Sequence, residues 1–290
     1  MKVLRTIQEA RAVCRQARRE EKRIGLVPTM GALHEGHLSL VRAAKRQTDC
    51  VVVSVFVNPL QFGPNEDFAK YPRTFDRDRE LLEHEGVAVL FAPTPEEMYP
   101  PYAATLVEVE RLPQKLEGRT RPTHFRGVTT VVNKLFNIVQ PDLAFFGQKD
   151  AQQVIILRQM ARDLNMDVEI VVMPIVREPD GLALSSRNHY LNERQRAQAP
   201  VLYRALTRMQ MLADRGEGSA AALLQQGKAI IAEESEVRLD YLEIVSQETL
   251  EPVVDVAGGA LVAVAAFVGP TRLIDNIVLQ GSGIGAQPSR

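Results

Sequence analysis

The 290-residue sequence sets 35 lysines and arginines against 36 aspartates and glutamates, leaving a net charge of −1. So even a balance excludes a protein whose main business is binding nucleic acid or an acidic membrane surface, and it confines any phosphate binding to a local site. The length suits one large domain with a smaller partner.

The N-terminal residues, MKVLRTIQEARAVCRQARREEKRIG, contain no apolar signal core. No stretch approaches the roughly 20 apolar residues of a membrane span, so the expectation is a cytoplasmic protein that engages no membrane. The basic run from Arg11 to Arg23 is interleaved with Glu9, Glu20 and Glu21 at helical spacing, which makes it a solvated helix face and not an RNA surface. Cys14 lies in that helical pattern and Cys50 opens an apolar run; both are read as small buried hydrophobes.

Further along, valine-rich apolar runs alternate with helix-length segments. Strands are predicted at Ile24–Thr29, Val51–Val57, Val87–Ala92, Leu143–Phe146 and Val168–Val176, with helices at His37–Thr48, Thr74–Glu85, Val128–Val139 and Ala151–Leu164. This alternation predicts an α/β fold with a doubly wound, Rossmann-like parallel sheet. The unbroken apolar run CVVVSVFV needs cover on both faces, which flanking helices supply. After SSRNHYLN the pattern changes to helices at Glu193–Arg215 and Ala220–Glu234, then strands at Leu239–Val245, Ala260–Val268 and Arg272–Val278. A smaller α+β domain is therefore predicted over 179–290, following a first domain over 1–178, with turn residues Glu178–Asp180 at the boundary. The closing GSGIGAQPSR reads as a frayed tail.

In doubly wound sheets, ligands sit beyond the carboxyl ends of the strands. Here those ends carry PTMGALHEGH, NPLQFG, GQKDAQQ and REPDGLALSSRN. His34 and His37 stand three residues apart at a strand-to-helix junction. The zinc protease signature would need a second histidine at position 38, which is Leu38. The pair alone is open to a structural role, a metal or a phosphate. Gly31 and Gly36 would let backbone pass close to a ligand, and free N–H groups with the positive end of a helix dipole would favour an anion. Lys149 and Asp150 supply a mobile cation and a carboxylate suited to ribose, while Ser185, Ser186 and Arg187 supply hydroxyls and a fixed cation. No cysteine or serine beside a base appears among these motifs, which favours positioning and electrostatics over covalent catalysis.

Together these pieces resemble the nucleotidyl transferases and class I aminoacyl-tRNA synthetases, with HEGH as the two-histidine motif and LSSRN as the phosphate loop. PTMGALHEGH, VFVNPLQF, YPRT, HFRGV, FFGQKD and SSRN, read in order, are more specifically similar to the pantothenate synthetase family over nearly the whole chain. The resemblance implies condensation of pantoate with β-alanine, using ATP and Mg2+, to give pantothenate, AMP and pyrophosphate through an acyl adenylate, in a homodimer. It implies an ATP site lined by Met30, Gly31, Ala32, Leu33, His34, Glu35, Gly36 and His37, with His37 as proton donor and His34 beside it. Lys149 would neutralise the α-phosphate. Gly147 and Asp150 would meet the ribose, with Gln148 between them, and the backbone of Val176 would meet adenine. Leu184, Ser185, Ser186 and Arg187 would surround the phosphates, Leu184 standing where relatives carry methionine. Gln61 and Gln153 would hold pantoate, Asn58 would shape that pocket, and Arg121 and His124 would support it; no protein residue is assigned to the metal. The long connection Phe62–Thr74 is read as a lid.

Two other readings share such a pocket: transfer of a nucleotidyl group to a different acceptor, and a nucleotide-binding regulatory protein without catalysis. Pantoate-dependent pyrophosphate exchange separates the first, and AMP production the second.

Overall fold

Val51, Val52 and Val53 are 4 %, 0 % and 0 % exposed, as an unbroken apolar run must be in a strand covered on both sides. They lie in the first of two compact units, Met1–Val176 and Arg177–Arg290, into which the computed structural model divides the chain. Residues 1–64, 66 and 68–281 are described; the tail read as frayed lies, after Gly281, outside them.

The first unit runs β1 (Lys2–Leu4), α1 (Ile7–Arg19), β2 (Ile24–Thr29), α2 (Glu35–Gln47), β3 (Cys50–Val55), α3 (Phe75–His84), β4 (Val89–Phe91) and α4 (Pro95–Met98). It continues with α5 (Glu117–Thr120), α6 (His124–Val139), β5 (Leu143–Gly147), α7 (Ala151–Asp163) and β6 (Glu169–Met173). The six strands form one parallel sheet in the order β1-β4-β3-β2-β5-β6. From β2 the winding proceeds through β3 to β4 on one side, then resumes at β5 and β6 on the other. The switch point is therefore the gap between the carboxyl ends of β2 and β5, where ligands of such sheets bind.

Alternation along the strands divides the core into two layers. Leu26 and Val52 join a cluster with Cys14 of α1, Val132 of α6 and Leu157 of α7, while Val27, Val51 and Val53 join one with Val41 of α2 and Leu82 of α3. Both cysteines are buried and unpaired, and burial, with Cys50 as neighbour, pushes the Cys14 thiol up to about 12.

Three features differ from the sequence expectation. β1 is a three-residue edge strand, too short to leave a periodic signal. The strand expected over Val168–Val176 ends at Met173, because Pro174 has no N–H for a ladder, so Val176 lies outside it. The helix expected over Glu193–Arg215 is two, α8 (Glu193–Gln198) and α9 (Val201–Asp214), broken where Pro200 removes an amide donor.

In the second unit, α9 and α10 (Ala220–Ile231) pack on an antiparallel sheet of β7 (Val237–Val245), β8 (Ala260–Val268) and β9 (Thr271–Leu279). Near its start, Arg177 forms a two-pronged pair with Asp275 at 2.6 and 2.9 Å and lies over the ring of Tyr203. No helix among the described residues is long and apolar enough to cross a membrane.

Candidate active site

At the carboxyl end of β2, Thr29 donates its hydroxyl to the Ser54 carbonyl at 2.8 Å and accepts the Gly31 N–H at 3.2 Å. The chain then turns through two consecutive left-handed residues, Gly31 (φ +82°) and Ala32 (φ +51°), before entering α2. The N–H groups of Ala32 and Leu33 donate to the carboxylate of Asp78, at 2.9 and 2.8 Å. His34 is the N-cap of α2: its Nδ1 accepts the Gly36 N–H at 3.1 Å, and its own N–H donates to Nδ1 of His37 at 3.4 Å. The two rings lie 4.1 Å apart, tilted by 44°.

This corrects one expectation. The amides of Gly31, Ala32, Leu33, His34 and Gly36 already have internal acceptors and are not free for an anion. Because both Nδ1 atoms accept backbone hydrogens, each neutral ring carries its proton on Nε2 and offers it as a donor. Burial above all, and then the electrostatic influence of the His34 ring and of Lys149, depresses the His37 pKa to about 3, so its imidazole is neutral at physiological pH. His37 is thus a hydrogen-bond donor in the free protein and not an imidazolium.

Lys149 occupies the short turn Gln148–Asp150 after β5 and is half-buried. Its charge is the least of the influences that lower the His37 pKa, and the two residues follow the strands β5 and β2 that flank the switch point. Beyond β3, Gln61 is buried; its Nε2 donates to the Met30 sulfur at 2.8 Å and its Oε1 accepts from Asn58 at 3.2 Å. Asn58, 1 % exposed, also donates to the Gly127 carbonyl at 3.0 Å and accepts from the Tyr99 hydroxyl at 2.8 Å and the Leu60 N–H at 3.3 Å. Its amide is committed within the protein and orients Gln61. Burial raises the Tyr99 pKa, which keeps that phenol a donor.

Arg121 grips Glu66 with two nitrogens, one at 2.7 Å, and reaches the Gln61 carbonyl at 3.3 Å. His124 meets the same carbonyl through Nδ1 at 2.9 Å and Arg121 through Nε2 at 3.2 Å, which places its proton on Nδ1. Burial, then the Arg121 charge, lowers its pKa to about 4 against the opposing pull of the Gln61 carbonyl and the carboxylates of Glu66 and Asp150.

The structure thus gathers Met30, His34, His37, Asn58, Gln61 and Lys149 at the carboxyl edge of the sheet. Gln153 is half-buried in the first turn of α7, next to Gln152, whose side chain ties down Leu112, Lys115 and Glu117. Val176 is half-buried after β6. Leu184–Arg187 belong to the second unit, where Ser185 accepts the Arg187 N–H at 3.2 Å. His84 and His189 are exposed. Sequence reading does not single out Asp78 or Tyr99: an acid in the first turn of a helix signals ordinary capping, and nothing local marks Asp78 as buried.

A parallel sheet with paired imidazoles and a lysine at its switch point defines a nucleotide-binding α/β enzyme. The family model described as Pantoate-beta-alanine ligase matches residues 2–278. A pantothenate synthetase of Koribacter versatilis is 62 % identical over 288 residues, covering 99 % of each chain. The crystal structure of pantothenate synthetase from Thermus thermophilus superposes with a TM-score of 0.92 at 51 % identity, covering 97 % of this chain and 100 % of that one. That of pantoate-beta-alanine ligase from Francisella tularensis, complexed with beta-gamma ATP and beta-alanine, gives 0.78 at 33 % identity, covering 96 % and 97 %. The chain belongs to the pantoate-beta-alanine ligase family.

Proposed function

We propose that this chain condenses (R)-pantoate with β-alanine, driven by ATP, and that both half-reactions occur at the carboxyl edge of the first unit's sheet. A carboxylate and an amine form a salt in water and not an amide, so the carboxylate must first gain a leaving group. A pantoate oxygen attacks the α-phosphorus, the bond to the β-phosphate breaks, and pyrophosphate departs from a pantoyl adenylate. The β-alanine nitrogen then attacks the acyl carbon, the bond to AMP breaks, and the nitrogen loses a proton as pantothenate forms.

The observation that carries this reading is the His34–His37 pair, whose Nδ1 atoms are tied to backbone amides so that both rings offer Nε2–H at the end of β2, the strand next to the one that leads to Lys149. Neutral donors and one cation, held in place before the reaction, suit oxygens whose charge grows during phosphoryl transfer. Gln61, steered by Asn58 and touching Met30, adjoins the nucleotide loop and can meet pantoate through its amide without adding charge, with Gln153 as second holder. We assign Gly147, Gln148 and Asp150 to the ribose side, the backbone of Val176 to adenine, and Leu184, Ser185, Ser186 and Arg187 to the phosphates on the strength of their motifs.

Mg2+ enters this reading with ATP as the MgATP substrate, held by phosphate oxygens and water. Among the described residues no group of three or more His, Cys, Asp or Glu is placed to cage a metal ion. A homodimer working in the cytoplasm is proposed from the resemblance. The test is AMP release with ATP, Mg2+, pantoate and β-alanine, each omitted in turn; release must need all four, and pyrophosphate exchange must need pantoate. Exchange that proceeds without pantoate overturns the reading.

A further inference from the structure

Two successive left-handed residues, Gly31 and Ala32, turn the chain so that the amides of Ala32 and Leu33 converge on one point, a convergence that suits an anion. In a loop read as the nucleotide site, the obvious occupant is phosphate. The actual occupant is internal. Asp78, 1 % exposed in the first turn of α3, accepts Ala32 N–H on one oxygen, and Leu33 N–H and the Thr74 hydroxyl on the other, the last at 3.2 Å.

The fit is tight. A Cβ on Gly31 would stand 2.9 Å from an Asp78 carboxylate oxygen, so glycine is required there by space as well as by φ. Ala32 has no such freedom, and a left-handed alanine is a strained conformation that persists only where its surroundings over-determine it. The two N–H bonds to a carboxylate on either side of that residue supply the constraint. One residue after Leu33 comes His34, the cap whose ring and backbone set the tautomers of both imidazoles.

We propose that Asp78 is a positioning residue of the ligase reaction: its carboxylate accepts the converging amides of Ala32 and Leu33, fixes the entry of the chain into α2, and thereby aims the Nε2–H groups of His34 and His37. Asp78 acts through the loop and touches no substrate. Through Thr74 the same carboxylate also ties the turn to the end of the Phe62–Thr74 connection. This inference rests on the reading that His34 and His37 face ATP.

Asp78→Asn is the sharpest probe, being equal in size while turning one of the two acceptors into a donor that faces a backbone N–H. With a charged acceptor lost to the converging amides, the ATP kcat/KM is expected to fall at least tenfold, with the KM for β-alanine changed less than twofold. Nitrogen-15 NMR of the imidazoles supplies a readout that a general loss of stability would not move: the accepting Nδ1 signature of His37 should weaken in the variant at a temperature where it remains folded. Should Asp78→Asn fail to fold, Thr74→Val removes one donor from the carboxylate and is expected to raise the ATP KM at least threefold, again sparing β-alanine.

Unchanged ATP kinetics in a folded Asp78→Asn protein, or losses shared equally by ATP and β-alanine, overturn the proposal; so does an unchanged ATP KM in Thr74→Val. His37→Ala serves as the control. If it too has parent ATP kinetics, the placement of ATP fails together with this inference. If it is impaired while Asp78→Asn is normal, only the role of Asp78 fails.

Discussion

The backbone N–H of His34 donates to Nδ1 of His37 at 3.4 Å, while Nδ1 of His34 accepts from Gly36 at 3.1 Å, so each imidazole is locked as an Nε2–H donor by the start of the helix that carries it. A preorganised donor of this kind is worth about 100- to 1,000-fold in turnover, and that loss is expected for His37→Ala and for Lys149→Ala. His37→Gln, whose amide carries N–H near the position of Nε2, should recover part of it. Steady-state kcat decides: a His37→Ala enzyme within tenfold of the parent means the ring does not act on the reacting phosphate.

Both depressed histidines make stability depend on pH. An imidazole in the unfolded chain titrates near 6.5, against about 3 for His37 and about 4 for His124 in the folded protein. Below pH 6.5 the unfolded chain therefore binds protons that the folded one refuses, so stability is full above that pH and falls on acidification. The slope reaches about 1.4 kcal/mol per pH unit for each ring and ends once the folded rings protonate. Melting temperatures measured from pH 7 to pH 5, above most carboxylate titrations, should fall steadily, and the slope should be shallower in His124→Gln. A flat profile over that range would mean these rings are no harder to protonate than exposed ones.

How much of this is legible in the sequence follows from which signals are local. The strands β2, β3, β5 and β8, the helices beside them and the strand-end motifs all announce themselves by periodicity or turn residues. The role of Asn58 as the holder of Gln61 does not, because its partners Tyr99 and Gly127 lie 41 and 69 residues away. Asp78 is likewise invisible, since only the packing of α3 distinguishes it from Asp76. The loop amides mislead for the same reason: a glycine-rich turn before a helix says that N–H groups converge, but not that a carboxylate 45 residues later already accepts from them. Sequence marks the chemistry at strand ends; the supporting partners depend on the tertiary fold.

Asn58→Ala tests that support directly. It removes the side-chain bond that steers Gln61 and takes away the acceptor of the Tyr99 hydroxyl, at about 1–3 kcal/mol for a buried polar group left unsatisfied. The expected result is a lower melting temperature with a KM for pantoate raised about tenfold or more and a KM for ATP changed far less. An ATP KM that rises as much as that for pantoate would place Asn58 in general folding and not in the orientation of Gln61.

The connection Phe62–Thr74 has contacts of its own: Phe62 meets Phe68 and Tyr71 edge-on at 5.3 and 5.8 Å, Arg73 donates to the Tyr71 and Phe68 carbonyls, and Glu66 pairs with Arg121. Asn65 and Asp67 lie outside the described residues. We propose that this segment closes over the acyl adenylate and limits its hydrolysis. Amide exchange over 62–74 should slow when ATP and pantoate are both present, and Glu66→Gln, which keeps the shape but not the charge, should release more AMP per pantothenate formed. Equal exchange with and without substrates removes the lid.

The second half-reaction sets the alkaline side of the rate profile. The β-alanine nitrogen must be neutral to attack the acyl carbon, and with a pKa near that of lysine, roughly 10, only about one molecule in a thousand is free base at pH 7. Each pH unit above neutrality then raises the reactive amine about tenfold until the titration is complete. His37 already sits neutral far below this range, so its protonation state does not change as the amine titrates. With β-alanine below saturation, the rate of pantothenate formation should climb between pH 7 and pH 9, while pantoate-dependent pyrophosphate exchange, which involves no amine, should not share the climb. A flat rate of pantothenate formation over those two units would mean that the amine is deprotonated before or outside the step that limits turnover.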